Sequence, residues 1–200
     1  MFPIRIIEPA IQDYPFDNIE LGVTAGTYTI GVDWNESTSG VHIVVLKQLQ
    51  GENKIKLSNL IIVSPSNFTQ LKAIDTLISL NKIYNPRYIA TDVGFGNTQH
   101  QFLFKYAEEH PESGLKQRLV PVDFNGSFDI NLSNGQILKQ KTKPFMVSIL
   151  SRYLEEQKII LPKSLDSKGK LIDQMKKYEI VGISEGNVPK YSKGNVHTLE

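Results

Sequence analysis

The stretch Tyr28-Thr29-Ile30-Gly31-Val32-Asp33 combines β-branched and aromatic residues and ends in a carboxylate. This composition is typical of a β-strand, and the polar cluster from Asn35 to Gly40 that follows it is typical of a turn. Two further apolar runs, 41–49 and 54–63, come next along the chain. Because short turns join all three runs, the sequence predicts an antiparallel meander of three strands.

A helix and a fourth strand follow the meander. Asn67, with Gln70 three residues later, resembles a capping box, and the apolar residues after it recur at helical spacing. Residues 87–93 then read as a short strand. A strand that follows a helix directly tends to return parallel to the first strand through a right-handed crossover. We therefore expect 87–93 to lie parallel to 28–33, with Asp92 near its end.

The remaining elements complete an α/β layout. A hairpin is indicated by Asn-Gly between two short extended runs, which is a strong hairpin signal. The other assignments follow from apolar spacing and from turn residues. The elements are a helix at 97–109, a strand at 117–123, a hairpin of 128–132 with 136–140, a helix at 143–157, an apolar piece at 159–161, a helical stretch at 171–178, a strand at 179–183, a polar loop at 184–194 and a helix from Asn195.

The order of these elements predicts a mixed central β-sheet flanked by helices, with an added β-hairpin, in one domain at 27–200. Residues 1–26 contain three prolines and end in a loose Gly-rich stretch. We interpret them as a lead-in or interdomain linker, so regular structure is expected to begin at Tyr28.

The composition restricts the kind of site that the chain can build. It is 40% hydrophobic and 22% charged, as is ordinary for a globular domain. The chain contains no cysteine, so any metal ion must be held by oxygen or imidazole ligands. The N-terminal residues do not form a signal peptide, and no apolar run approaches the ~20 residues of a membrane span. A soluble intracellular protein is therefore expected.

Two carboxylates stand out because each one closes a predicted strand. Asp33 ends the first strand, and Asp92 ends the fourth. Parallel neighbouring strands lie ~4.8 Å apart, so both side chains would meet at one edge of the sheet and could share divalent cations. Gly31 and Gly94 would permit close approach of a ligand or of another backbone segment. The alternative is that each Asp is only a turn residue or a helix cap, which is the commoner role of an Asp after a strand.

A third metal ligand is expected near the C-terminus. His197 and Glu200 are three residues apart, so they would share one face of a helix and could present an imidazole and a carboxylate to the same ion. The alternative for Glu200 is a simple interaction with the helix dipole. Asp75, on the first long helix, could also approach the site, although an exposed position fits its neighbours better.

Three motifs, taken in order and spacing, resemble the nuclease domain of the terminase large subunit of tailed bacteriophages. A middle segment, with Val122-Asp123-Phe124 before the hairpin and Lys141-Thr142-Lys143-Pro144-Phe145-Met146 opening a helix, fits as well. The likeness covers nearly all of 28–200. The three motifs are Ile30-Gly31-Val32-Asp33-Trp34-Asn35, Ala90-Thr91-Asp92-Val93-Gly94-Phe95-Gly96 and Gly194-Asn195-Val196-His197-Thr198-Leu199-Glu200.

The resemblance implies an RNase H-like fold and a two-metal endonuclease that cuts concatemeric double-stranded viral DNA during packaging. It implies that Asp33 and Asp92 are metal ligands for Mg²⁺ or Mn²⁺, and that Glu200 takes the place of the family's third acid after His197. The family more often has Asp at that position, so this chain departs from the pattern there.

The resemblance also implies partners and a location. Terminase large subunits carry an ATPase domain, and this chain has no G-x-x-x-x-G-K-[ST] segment. It would thus correspond to the C-terminal part of such a subunit, with 1–26 as the end of the linker and a further helix after Glu200. Expected partners are double-stranded DNA, the ATPase domain, the small terminase subunit and the portal or procapsid, in the cytoplasm of the infected bacterial host.

Lysines near the hairpin are candidates for contacts with DNA phosphates, because basic residues outnumber acidic ones from Gly126 onward. A projecting hairpin with lysines could grip a duplex without reading its sequence, although alternating lysines are also ordinary on a solvated strand. The candidates beside the hairpin are Lys139, Lys141 and Lys143, and Lys190 and Lys193 in the last loop could add contacts near the metal site.

Three other functions are compatible with these residues. A different RNase H-like nuclease, such as a Holliday junction resolvase, would use similar carboxylates on a four-way junction. A sugar-kinase or actin-like ATPase also begins with a strand that ends in Gly-x-Asp, but it carries a second Gly-rich phosphate motif that is missing from this sequence. A non-catalytic packaging or docking module would use the acids only structurally.

Overall fold

The computed structural model describes residues 2–34, 40–65, 70–94, 96–165, 171–184 and 188–191. The helices are α1 (Ile4–Ile7), α2 (Gln70–Tyr84), α3 (Asn97–Glu109), α4 (Leu115–Arg118), α5 (Thr142–Glu155) and α6 (Leu171–Lys177). The strands are β1 (Ile11–Gln12), β2 (Thr27–Asp33), β3 (Val41–Gln48), β4 (Ile55–Val63), β5 (Tyr88–Asp92), β6 (Leu119–Val122), β7 (Ser127–Asn131), β8 (Ile137–Lys141), β9 (Ile159–Pro162), β10 (Ile180–Ser184) and β11 (Val188–Tyr191).

Seven strands form a mixed central sheet in the order β1–β9–β4–β3–β2–β5–β6. β2, β3 and β4 are antiparallel neighbours, which confirms the predicted meander. β5 pairs with β2 in parallel, which confirms the predicted parallel return of the chain after α2. β7 with β8, and β10 with β11, form separate two-stranded hairpins. The expected α/β architecture with an added hairpin is therefore present.

The sheet is covered on both faces. One core cluster packs alternate residues of β2, such as Ile30 and Val32, against α2 and α3. The other cluster packs β4 and β9 against α1, α5 and α6. Trp34, directly after β2, is fully buried in the first cluster. Since side chains alternate across a strand, the intervening positions of β2, Gly31 and Asp33, are on the face toward α5.

The lead-in takes part in the fold, so the expectation that regular structure begins at Tyr28 was wrong. Ile7 of α1 and the flanking residues Phe2 and Ala10 are buried in the second core, and β1 pairs in parallel with β9. Local propensity gives no sign of this arrangement, because the stabilising contacts come from residues about 150 positions away. Whether residues 1–26 also connect to another domain stays a prediction.

A second difference concerns the loop expected at 184–194, since β11 lies within it and pairs with β10. Tyr191 of β11 stacks on Tyr178, with ring centroids 5.2 Å apart, and this contact ties the hairpin to the second core. The expected Asn67 cap and the expected helix from Asn195 both lie outside the described residues. No helix in the part of the chain that the structure describes is long and apolar enough to cross a membrane.

Both edges of the sheet are short or interrupted. β1, at one edge, has two residues, and β6, at the other, contains Pro121, which has no backbone N–H to donate. β4 is longer than its neighbour β9, which pairs with it only at Ile55 and Lys56.

Tyr14 closes the gap where β4 and β9 separate. Its hydroxyl oxygen lies 3.0 Å from the Leu57 carbonyl oxygen and 2.9 Å from that of Ile160. Burial, and to a smaller extent the carboxylate of Asp17, raise the pKa of Tyr14, so its hydroxyl keeps its proton and donates. The lead-in is thus hydrogen-bonded to two strands of the central sheet.

Tyr14→Phe is expected to lower the free energy of unfolding by about 1–2 kcal/mol, since it removes the donor that serves two partly buried carbonyl groups. Urea unfolding followed by circular dichroism measures this change. Tyr88→Phe is the matched control, because the Tyr88 ring is exposed and its hydroxyl makes no hydrogen bond within the described residues. Equal stability of the two variants would show that Tyr14 does not hold the lead-in to the sheet.

Candidate metal centre

The two strand-end carboxylates lie side by side. The parallel register of β2 and β5 runs from Thr29 opposite Tyr88 to Val32 opposite Thr91, and Asp33 and Asp92 are the next residue on each strand. Val32 and Thr91 face α2 and α3, so both acids project from the opposite face of the sheet. Their strands are ~4.8 Å apart. The structure therefore brings these two candidates together at one end of the sheet.

The acids belong to a row of residues that crosses five neighbouring strands. Hydrogen-bonded register places Val122 of β6 beside Asp92, His42 of β3 beside Asp33, and Ile62 of β4 beside His42. Partners in register project from the same face. We call Val122, Asp92, Asp33, His42 and Ile62 the edge row.

The loop after β5 holds the Asp92 side chain. This residue is only 4% exposed, and its Oδ1 accepts a hydrogen bond of 2.9 Å from the backbone N–H of Gly94. The backbone N–H of Val93, the residue between Asp92 and Gly94, donates to the carbonyl oxygen of Val122 at 3.0 Å. The carboxylate is thus oriented by its own turn, while that turn is fixed to β6.

Gly96 allows this loop to close on the buried indole of Trp34. A Cβ atom on Gly96 would lie 2.2 Å from Cδ1 of Trp34 and 2.3 Å from the carbonyl oxygen of Asp92. Neither neighbour can be displaced cheaply, because one belongs to a fully buried ring and the other to the backbone. Since Trp34 follows Asp33 directly, this contact ties the ends of the two acid-bearing strands together. Gly31 and Gly94 were the glycines expected to allow a close approach here, whereas no local pattern points to the contact at Gly96.

Gly31 and Gly94 are less constrained. A Cβ atom on Gly31 would meet nothing within 4 Å, and one on Gly94 would lie 3.3 Å from Oδ1 of Asp92. Gly31 lines a cavity of about 290 Å³ between the sheet and the helices α5 and α6. Its lining is mostly apolar and includes Phe124, Met146, Leu150 and Met175, whereas Asp33 and His42 bring polar groups to it.

His42 lies beside Asp33 in the edge row, and local sequence patterns did not indicate it. It is 5% exposed, and its Nδ1 lies 3.2 Å from the carbonyl oxygen of Gly40. Its position opposite Asp33 depends on the length of the 34–40 connection, which sets the register of β2 with β3. Only a turn that fixes the register of the two strands could have indicated this position from sequence. The six-residue cluster from Asn35 to Gly40 does not specify such a register.

His100 supports the site from the other face of the sheet. Its Nε2 is hydrogen-bonded to the hydroxyl of Thr91, which precedes Asp92. Burial lowers the pKa of His100, and a backbone hydrogen bond at Thr91 and the charge of Asp92 offset this only in part. His100 is therefore a neutral residue at neutral pH that joins α3 to β5 behind the acids.

The donor set fits a hard divalent cation in part. Two carboxylates on adjacent strands repel each other unless a proton or a cation lies between them, and Mg²⁺ and Mn²⁺ prefer oxygen ligands. Among the described residues no group of three His, Asp or Glu side chains is close enough to hold an ion alone. His197 and Glu200, the expected further ligands, lie outside those residues, and Asp75 is exposed on α2 at the other face of the sheet.

The candidate DNA contacts are distributed over several elements. Lys139 and Lys141 are exposed on one face of β8, opposite Asp129 and Ser127 of β7. Lys143 is half-buried in the first turn of α5. The other two candidates are on or after β11, where Lys190 is exposed and Lys193 lies outside the described residues.

Gly96→Ala is expected to lower the free energy of unfolding by about 1–3 kcal/mol, as overpacking against a buried ring does. Gly31→Ala is the matched control, since the added methyl group meets open space, and its stability should stay within about 0.5 kcal/mol of the parent. Chemical denaturation of both variants measures the difference. A Gly96→Ala variant as stable as Gly31→Ala would contradict the close packing of the loop on Trp34.

No family model matches the sequence, and no curated protein matches it. Solved structures do match its fold. The large terminase nuclease from thermophilic phage G20c aligns over 88% of this chain and 78% of its own length, with 16% sequence identity and a TM-score of 0.58. The large terminase nuclease domain from bacteriophage SPP1, solved with bound Mn, aligns over 94% and 89%, with 15% identity and a TM-score of 0.54. The chain therefore has the RNase H-like fold of phage large terminase nuclease domains.

Proposed function

We propose that this chain is a divalent-metal-dependent endonuclease that cleaves double-stranded, concatemeric viral DNA during genome packaging. The observation that carries the proposal is the pair of carboxylates, Asp33 and Asp92, on adjacent parallel strands at one end of the sheet. The same fold occurs in two phage terminase nucleases, which favours this reaction over the other chemistries compatible with strand-end acids.

Asp33 and Asp92 would hold Mg²⁺ or Mn²⁺, and Glu200, with His197 nearby, is the proposed third acid. Manganese bound in the SPP1 domain supports a divalent ion here. Two bound ions would activate water and stabilise the charge that develops on the phosphate. The contribution of the chain is to orient the Asp92 carboxylate through Gly94 and to fix the spacing of both acids through Trp34 and Gly96.

The β7–β8 hairpin is the proposed DNA clamp. β6 ends at Val122 in the edge row, and the hairpin begins only five residues later at Ser127, after a turn closed by Asp123. The hairpin therefore leaves the sheet beside Asp92. Lys139 and Lys141 would contact phosphates on the exposed face of β8, and three further lysines, Lys143, Lys190 and Lys193, would extend this surface.

The proposed partners follow from the same function. A packaging nuclease would work with a terminase ATPase domain, the small terminase subunit and the portal or procapsid. Such a protein would act in the cytoplasm of the infected bacterial host.

Plasmid digestion with Mn²⁺, Mg²⁺ or EDTA tests the reaction. We expect cleavage with Mn²⁺ or Mg²⁺, none with EDTA, and a loss of at least about 100-fold in Asp33→Asn and Asp92→Asn, since each removes a charge from the ion site. Asp75→Asn is the matched control, because this exposed acid is on the opposite side of the sheet. A four-way junction cut in preference to linear duplex would favour a resolvase, and cleavage that survives both strand-end substitutions would exclude the proposed reaction.

The salt dependence of binding tests the hairpin. In an Asp33→Asn background with EDTA, Lys141→Glu should weaken duplex binding. It should also make the negative slope of log K against log salt less steep by about 1. Lys82→Glu, an exposed lysine on α2, should leave the slope unchanged. Fluorescence anisotropy over a salt series measures both, and an unaltered slope in Lys141→Glu would remove this lysine from the DNA surface.

A further inference from the structure

We propose that His42 belongs to the metal centre as an outer ligand, whose Nε2 accepts a hydrogen bond from the hydration shell of the ion held by Asp33. This inference rests on the proposed function, because it assumes that the ion binds at Asp33 and Asp92. It adds to that function an imidazole from β3, a strand on which local sequence patterns indicate no candidate residue.

The register of the sheet brings His42 to the ion. His42 is paired directly with Asp33 in the antiparallel ladder of β2 and β3, so the two side chains project from one face with Cβ atoms ~5 Å apart. Both residues line the same cavity. An imidazole and a carboxylate at that separation can face one hydrated ion together.

The hydrogen bond of the imidazole with Gly40 determines which nitrogen is the acceptor. The Gly40 carbonyl oxygen can only accept, so Nδ1, 3.2 Å away, carries the proton and donates it. In the neutral ring Nε2 then has the lone pair. A backbone carbonyl at one nitrogen is also the arrangement that orients histidines toward metal sites.

Gly40 itself is held firmly, so the ring orientation is preset. Its φ of +81° suits glycine, and a Cβ atom there would lie 2.1 Å from the carbonyl oxygen of Val63. Any other residue at this position would push β3 away from the end of β4. The orientation of the His42 ring therefore depends on the packing of three strands, β2, β3 and β4.

An outer position fits better than direct coordination. No three acid or imidazole side chains among the described residues are close enough to hold an ion directly. Mg²⁺, in addition, dehydrates reluctantly and keeps several waters, whose protons need acceptors. The ring nitrogen opposite the one bonded to Gly40 is the acceptor that the geometry offers to such a water.

The other described histidines are differently placed, which makes them controls. Nε2 of His100 is hydrogen-bonded to Thr91 on the far face of the sheet, and His110 is exposed after α3, with Nδ1 3.2 Å from Glu112. Of the three histidines that the structure describes, His42 alone is in the edge row.

Mn²⁺ binding followed by electron paramagnetic resonance tests the role of His42 without requiring cleavage. A Gln amide reaches as far as Nε2 and offers an acceptor there, whereas Asn reaches only the Nδ1 position and Phe offers none. We expect His42→Asn and His42→Phe to weaken Mn²⁺ binding roughly 10-fold, and His42→Gln to retain most of it. His110→Gln should bind like the parent.

The unaltered protein provides a second measurement, in case the variants do not fold. Sub-stoichiometric Mn²⁺ should broaden the ¹⁵N and ring proton NMR signals of His42 strongly and those of His110 little, because paramagnetic relaxation falls steeply with distance. Two results would overturn this inference and leave the proposed function intact. One is parent-like Mn²⁺ affinity in all three His42 variants, and the other is broadening of the His42 signals no greater than that of the His110 signals. A parent protein that neither binds Mn²⁺ nor cleaves DNA would overturn the proposed function and this inference with it.

Discussion

The parallel pairing of β2 with β5 is the interaction on which the site depends. It is made possible by α2, which returns the chain across one face of the sheet and buries its apolar side chains against β2. The backbone hydrogen bonds of that pair fix the height of Asp33 relative to Asp92. A slip of one residue would turn one of the two carboxylates to the other face, toward α3.

The packing around Trp34 reinforces this pairing from outside the ladder. Regular hydrogen bonding of the two strands stops at Val32 and Thr91, just before the acids. Beyond that point the strand ends would be free to separate, but the indole lies against Gly96 of the following loop. A hydrophobic contact thus continues the alignment that the hydrogen bonds begin.

Much of the fold could be predicted from periodicity and turn residues, because β2, β3, α2 and α3 each carry a local pattern that agrees with their final environment. The same patterns indicated that Asp33 and Asp92 would be neighbours. They could not indicate β1, whose two residues form a strand only because β9 is beside them. They also could not identify His42 or Gly96, since a cross-strand register and a loop packed on an indole arise from contacts between distant segments.

The neighbouring positions of the two acids connect ion binding with the stability of the fold. Asp92 is almost fully buried, and the cavity beside Asp33 is lined mainly by apolar groups, so water screens the two carboxylates poorly. Repulsion between them therefore works against the same strand pairing that places them together. A cation that relieves the repulsion would stabilise the folded chain in proportion to its affinity.

The short edges of the central sheet affect the tendency of the protein to aggregate at high concentration. An uncovered strand edge is a template for pairing with another molecule, and long flat edges promote aggregation. Here one edge ends after the two residues of β1 and the other is interrupted by Pro121. Pairing of the central sheets of two copies is therefore discouraged at both edges, so the molecule can be concentrated without its sheets joining into one.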